Sequence, residues 1–117
     1  MSTATPQKTL KRALEVDFSA ILVVYKSMEN TWKGFAYPYN VTTESDTKTN
    51  ALATLRGLVE AYEDELKKFN FPSHLVNKSL TDLEDREIFQ RVIDDAVAQK
   101  GIVDKTSYHA ETHKVRS

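Results

Sequence analysis

Two histidines near the carboxyl end of the chain have the spacing of a metal site on a helix. His109 and His113 are four residues apart, so on a helix both imidazoles face the same way. Two imidazoles in that arrangement can hold zinc or nickel, but Glu111 between them would point to the other side. No third ligand is near in the sequence. A small metal- or ligand-binding helical bundle is therefore the alternative interpretation, and we expect no metal ion.

The common catalytic and nucleotide-binding motifs are missing from this sequence. It has no glycine-rich phosphate loop, no Gly-x-Gly-x-x-Gly, no Gly-x-Ser-x-Gly and no His-Glu-x-x-His. The 117 residues include no cysteine, which excludes disulfides, zinc sites built on cysteine and thiol catalysis. The acids between Asp82 and Glu87 fit the solvated first turns of a helix better than an acid–base pair. We expect no enzyme, no catalytic residue and no cofactor.

A cluster of aromatic residues is the strongest candidate for a binding site. Trp32, Phe35, Tyr37 and Tyr39 lie within eight residues, in a segment that also holds a glycine and a proline. We interpret this segment as a loop whose rings either cap the core or contact a partner protein. Stacking on nucleic-acid bases would need more basic residues nearby, so we expect no nucleic acid. Tyr108 in the carboxyl-terminal segment is added as a fifth partner contact.

The longest apolar pattern predicts a helix from Leu10 to Trp32, ended by Gly34. Its spacings of three and four are close to a heptad seam, formed by Leu10, Leu14, Phe18, Ile21, Tyr25, Met28 and Trp32. A second apolar line lies beside it, at Ala13, Val16, Ala20, Val23 and Val24. Two further helices would not cover all of this apolar surface. The uncovered part is predicted to be an association surface.

A second long helix is predicted to start between Glu44 and Thr49 and to stop at Asn70-Phe71-Pro72. Its inner stripe consists of Leu52, Leu55, Leu58, Val59, Tyr62, Leu66 and Phe69. Glu63 is placed on the charged outer face. Gly57 costs roughly 1 kcal/mol relative to alanine inside a helix, which a close helix crossing or chance would explain.

A third long helix is predicted to open with the capping box Thr81-Asp82-Leu83-Glu84 and to end at Gly101. Its inner residues are Leu83, Ile88, Phe89, Val92, Ile93, Ala96 and Val97. Between the second and third helices, Pro72 to Leu80 has room for a short helix. Asp104 to Ser117 is predicted to be a polar tail, disordered unless it binds a partner.

These elements predict an all-α fold with one domain. Residues 1–103 form a bundle of three long helices and one short helix, and residues 104–117 form the tail. Three glycines and three prolines are few turn-forming residues for a protein of many strands. A charged fraction of 28% suits helices with charged outer faces.

The predicted function is that of a non-enzymatic structural or accessory helical subunit of a larger multiprotein assembly. Its partners would be other protein subunits, with self-association as a further expectation. The net charge of −1 gives no reason to expect binding to nucleic acid or anionic membranes. No run approaches the roughly 18 apolar residues of a membrane span. We expect an intracellular protein, in the cytoplasm, the nucleus or an organelle.

One segment resembles a known family. Phe71-Pro72-Ser73-His74-Leu75-Val76 is similar to the Val-Pro or Ile-Pro turn of the smallest Mediator middle-module subunits, in which two helices precede the turn and one follows. Ile88-Phe89 falls near that family's apolar–aromatic pair. Where the family has Asp-x-Gly-x-Asn-Pro, this chain has Leu80-Thr81-Asp82-Leu83-Glu84-Asp85. The resemblance implies a transcription-coactivator subunit, as a further alternative.

Overall fold

The computed structural model describes residues 20–76, 80–99 and 102–114, which form one antiparallel sheet with helices on both faces. The strands are β1 (Ala20–Lys26), β2 (Trp32–Tyr37), β3 (Val41–Ser45), β4 (Ile102–Asp104) and β5 (Tyr108–His113). The helices are α1 (Lys48–Lys68), α2 (Ser73–Val76) and α3 (Leu83–Gln99). The strand order is β3-β2-β1-β5-β4. The prediction of an all-α bundle of three long helices is therefore wrong.

Strand β1 is the central strand, and it explains the error. It pairs with β2 on one side and β5 on the other, and its first six residues are all buried. A strand covered on both faces is apolar at every position, and such a run satisfies a helical period as readily as a strand period. The part of the predicted first helix before Ala20 lies outside the described residues.

The two long helices cover opposite faces of the sheet. On the α1 face, Leu22 and Val24 pack with Leu55 and Val59 of the helix. On the α3 face, the alternate residues of the same strand pack with helix α3; this cluster includes Ile21, Val23, Tyr25, Phe35, Phe89, Val92 and Ile93. The fold is a three-layer sandwich in which successive β1 side chains belong to different layers.

The residues predicted to form an aromatic loop lie mostly in β2. Gly34 does not end a helix, as was predicted, but lies in the strand opposite Thr43. A Cβ atom at Gly34 would lie 3.1 Å from Thr43 Cγ2 and 3.3 Å from Leu55 Cδ2. The missing side chain therefore allows helix α1 to approach the sheet closely.

Helix α1 has the ends that the sequence predicts. It starts at Lys48, and the Thr47 side chain caps it by accepting a hydrogen bond from the Asn50 N–H at 3.1 Å. At the other end the Phe71 N–H donates to the Leu66 carbonyl at 2.9 Å, and Asn70 has a φ of 57°. This is a Schellman ending with asparagine in the left-handed position. Both predicted boundaries are confirmed.

The buried face of α1 differs from the predicted stripe. The helix buries Ala51, Leu55, Val59, Glu63 and Leu66. Leu58 and Phe69 are exposed instead. These buried residues lie three or four positions apart, so Glu63 is on the sheet side and not on the outer face.

Helix α3 begins one residue later than the predicted capping box. Asp82 caps it, since its Oδ1 atom accepts a hydrogen bond from the Asp85 N–H at 3.0 Å. Leu83, predicted inside, is 69% exposed, whereas Phe89, Val92 and Ile93 are buried as predicted. The predicted end at Gly101 and the side chains of residues 94–99 lie outside the described residues.

The predicted polar tail, residues 104–117, instead contributes β5 and the last residue of β4 to the sheet. Strands β4 and β5 pair with each other, and β5 pairs with β1 over six residues. The Lys105 N–H closes the turn by donating to the Tyr108 carbonyl at 2.8 Å. Within the described part of the chain, no helix combines the length and apolar character needed to cross a membrane.

Candidate functional site

An open, acidic cavity lies between the β3 edge of the sheet and the start of helix α3. Its volume is about 570 Å³, and strands β2 and β3, the β1–β2 turn and the segment before α3 form its walls. The ionisable residues that line it are Glu29, Lys33, Glu44, Asp82 and Asp85. Four carboxyl groups and one amine give the cavity the character of a site for a positively charged group.

Asp85 is the most buried of these acids. It is 1% exposed, and the Tyr25 hydroxyl donates a hydrogen bond to its Oδ1 atom at 2.6 Å. Burial raises the pKa of the Asp85 carboxyl, against the lowering effect of the Tyr25 hydrogen bond. Burial and the bond to Asp85 also raise the pKa of Tyr25. The pair connects the central strand to the first turn of α3.

Lys33 holds two further acids at the same end of α3. Its Nζ atom lies 3.0 Å from Asp82 Oδ2 and 3.3 Å from Glu84 Oε1. Burial lowers the pKa of Lys33, but the two carboxylates outweigh that effect and the net shift is upward. The pKa of Asp82 is lowered by the Asp85 N–H bond and then by Lys33. Lys33 and Asp82 are therefore charged together at neutral pH.

The β1–β2 turn is fixed to the same helix end. The Met28 N–H donates to Glu84 Oε2 at 2.8 Å. Within the turn the Ser27 N–H donates to the Thr31 carbonyl at 2.8 Å, and Asn30 takes a φ of 66°, a conformation that asparagine tolerates well. This arrangement holds Met28 next to the start of α3 while its side chain is 94% exposed.

A second set of charged residues lies on the α1 face, where β5 carries polar side chains inward. Arg56 of α1 binds Glu111 in a two-pronged contact, with Nη2 at 2.6 Å from Oε1 and Nε at 2.9 Å from Oε2. His109 lies between two acids, with Nε2 at 2.8 Å from Glu111 Oε1 and Nδ1 at 3.1 Å from Asp104 Oδ1. Lys48 reaches the same Asp104 oxygen at 2.7 Å. These charges bind one another, which indicates a structural role.

Glu63 is the centre of a separate buried cluster on the same face. The Tyr39 hydroxyl donates to Glu63 Oε2 at 2.6 Å, and His113 Nε2 lies 2.7 Å from Glu63 Oε1. The hydrogen bond to Glu63 raises the pKa of His113, although burial acts in the opposite direction. The cluster joins α1, the β2–β3 turn and β5.

The two histidines of the proposed metal alternative do not converge. On strand β5, residues four apart are separated by about 13 Å, which is too far for one metal ion. Each imidazole is instead paired with acids, His109 with Asp104 and Glu111 and His113 with Glu63. Among the described residues, no group of three histidine or acidic side chains is placed to hold a metal.

The five predicted partner contacts lie in different parts of the fold. Phe35 and Tyr39 are buried. Tyr37 is half-buried and stacks on Phe89 with ring centroids 4.6 Å apart, and Tyr108 packs against the same cluster on the α3 face. Trp32 packs on the α1 face, with the amino groups of two lysines 5.5 and 5.8 Å from its ring centre. The five do not share one surface.

Sequence reasoning missed the acids that lie inside the fold, although a signal was present. Asp85 precedes Phe89 by four residues and Val92 by seven, so the three share one face of a helix. Glu63 follows Val59 by four residues and precedes Leu66 by three, so it also lies on an apolar helix face. An acid in register with an apolar stripe indicates a buried carboxyl group.

Comparison of the chain with known protein families, curated proteins and solved structures finds no match.

Proposed function

We propose that this protein is a non-enzymatic subunit of a multiprotein assembly, and that it binds its partner at the carboxyl end of β1 and the start of α3. The contact surface, called here the docking surface, consists of Met28, Leu83 and the adjoining acids Glu29, Asp82 and Glu84. This keeps the accessory role expected from the sequence but replaces the aromatic loop as the contact region.

The exposure of two neighbouring apolar side chains supports this proposal. Met28 is 94% exposed and Leu83 is 69% exposed, and the hydrogen bond from the Met28 N–H fixes Met28 to Glu84, the residue that follows Leu83. Scattered exposed apolar residues need no explanation, but two of them brought to one end of the fold among charged residues have the composition of an interface centre with a polar rim. Burying each side chain against a partner would contribute about 1.5–3 kcal/mol.

The charge of the surroundings defines the partner. Glu29, Glu44 and Asp82 line the cavity beside the two exposed apolar residues, and among the described residues that line it Lys33 is the one base. A partner segment with an apolar side chain and a neighbouring arginine or lysine would match both parts of the surface. Phosphate groups would be repelled, which argues against a nucleic acid as the partner.

Affinity capture with matched variants tests the proposal. We expect the wild-type chain to capture a recurrent protein from its native source, and the double variant Met28→Ala/Leu83→Ala to lose at least tenfold of that capture. Ile102→Ala is the control, because Ile102 is 63% exposed on β4, at the far edge of the sheet. Thermal melting should confirm that all three proteins are folded.

The interaction should also weaken as salt is raised, because exposed charges contribute to it. Equal capture by the double variant and the wild type would contradict the proposal. So would a wild-type chain that captures no protein reproducibly.

A further inference from the structure

In the sheet formed by the described residues, strand β3 is an edge and has the properties of a strand that can still pair. Its register with β2 runs through five consecutive residue pairs without a bulge. Its sequence, Val41-Thr42-Thr43-Glu44-Ser45, favours strands and contains neither proline nor lysine. Thr42 and Glu44 are exposed. Bulges, prolines and lysines are among the devices that prevent an edge strand from pairing, and β3 has none of these three, although it carries the charged residue Glu44.

The opposite edge is shorter. Strand β4 has only three residues, Ile102 to Asp104. At its end, the Lys48 amino group binds both Asp104 Oδ1 and the Lys105 carbonyl at 2.7 Å. A short edge with bound charged groups is protected. Of the two edges, β3 is the one suited to pairing.

Symmetry limits how β3 can pair with β3 of a second copy. An antiparallel pair of identical strands is related by a two-fold axis perpendicular to the sheet, so each face of one sheet continues into the same face of the other. Alternate residues of a strand face opposite sides of the sheet. Two residues that lie opposite each other across the axis must therefore both have odd numbers or both have even numbers. The axis can therefore pass through Thr42, Thr43 or Glu44, but not between residues.

Only one of these three registers uses the whole strand without a conflict of charge. An axis through Glu44 opposes two carboxylates, which is destabilising. An axis through Thr42 pairs only three residues. With the axis through Thr43, all five residues pair, Val41 lies opposite Ser45, and Thr42 lies opposite Glu44 in both halves.

We propose that two copies of this chain associate through β3 in that register and form a continuous ten-stranded sheet. The two threonines at position 43 face each other across the axis, and each Glu44 lies beside a Thr42 hydroxyl. The proposal does not rest on the docking surface, because it concerns a different contact and a different partner.

Disulfide trapping tests the register. The chain has no native cysteine, so only the introduced cysteine can form a disulfide. Across the axis, the Cα atoms of the two Thr43 residues would be about 4.5–5.5 Å apart, within the range of a disulfide. Oxidation of Thr43→Cys with diamide should therefore convert most of the protein to a covalent dimer. Ser45→Cys is the control, since its two copies would be displaced by four residues, about 13 Å, along the strands.

Substitutions at Thr42 test the same register without a covalent bond. Thr42→Glu places a second acid opposite Glu44 in both halves, and we expect the dimer dissociation constant from analytical ultracentrifugation to rise roughly tenfold. Thr42→Lys places a base opposite the same acid and should lower that constant. Monomeric wild-type protein at all concentrations, equal trapping of both cysteine variants, or a shift in the same direction for both Thr42 variants would overturn the proposal.

Discussion

Buried acids on both faces of the sheet have different kinds of partner. Glu111 is held by a guanidinium and an imidazole, and these outweigh its burial, so its pKa is lowered. Asp85 has the neutral Tyr25 hydroxyl as its direct partner, and its pKa is raised. A buried carboxyl without a direct cationic partner is costly for the folded state. The hydrogen bond from Tyr25 is therefore the contact that allows the folded protein to bury the Asp85 carboxyl group.

Removal of that hydroxyl should destabilise the protein. We expect Tyr25→Phe to lower the free energy of unfolding by about 2 kcal/mol at neutral pH, because the buried Asp85 carboxyl group loses its hydrogen bond from Tyr25. The control is Tyr37→Phe, which keeps the ring stacked on Phe89 and should change the stability by less than about 0.5 kcal/mol. Urea unfolding at pH 7 measures both. Equal stability of Tyr25→Phe and the wild type would contradict this role.

The Glu63–His113 pair predicts a dependence of stability on pH. Because folding raises the pKa of His113 from 6.5, the pair contributes fully below about pH 6.5 and loses its contribution as the pH rises through the folded-state value. The urea midpoint of the wild type should therefore fall from pH 6 to pH 9 more than that of His113→Gln. His74→Gln, at an exposed position on α2, should keep the wild-type slope. Identical slopes for all three proteins would contradict the prediction.

At the scale of elements, the helices were predictable and the sheet was not. Thr47 lies within the predicted start of α1 and Asn70 at its predicted end, because caps are local chemistry. Strand β1 was mistaken for a helix because both of its faces are covered. Strand β5 was mistaken for a tail because its inward residues, His109, Glu111 and His113, are charged or polar. The α1 partners of Glu111 and His113 are 50 or more residues away in sequence, and local patterns cannot show such pairing.

The surroundings of Gly34 and Gly57 lead us to expect opposite effects of alanine at the two positions. A Cβ at Gly57 would meet no atom within 4 Å, so no close crossing explains this glycine. We expect Gly57→Ala to stabilise the protein by up to about 1 kcal/mol. Gly34→Ala should destabilise it, because its Cβ would crowd Thr43 and Leu55. Thermal unfolding of the two variants measures this, and the reverse order would contradict the packing of α1 on β2.

For the whole molecule, the sandwich determines where the proposed contacts lie. Helices α1 and α3 cover the two faces, so the sheet edges and the ends of the helices remain for partners. A two-fold axis through β3 would leave the α3 layers of both copies on the same side of the joined sheet. Both docking surfaces would then face that side, and a partner with two matching segments would bind with increased avidity.

Site-specific photo-crosslinking at Leu83 tests the central claim of an assembly subunit most directly. A benzoylphenylalanine at position 83, introduced in the native source, should give a covalent adduct with one recurrent partner protein. The same residue at the exposed position of Ile102 is the control and should not give that adduct. The account predicts an adduct specific to position 83. The same adducts from both positions, or none from position 83 in a folded protein, would contradict it.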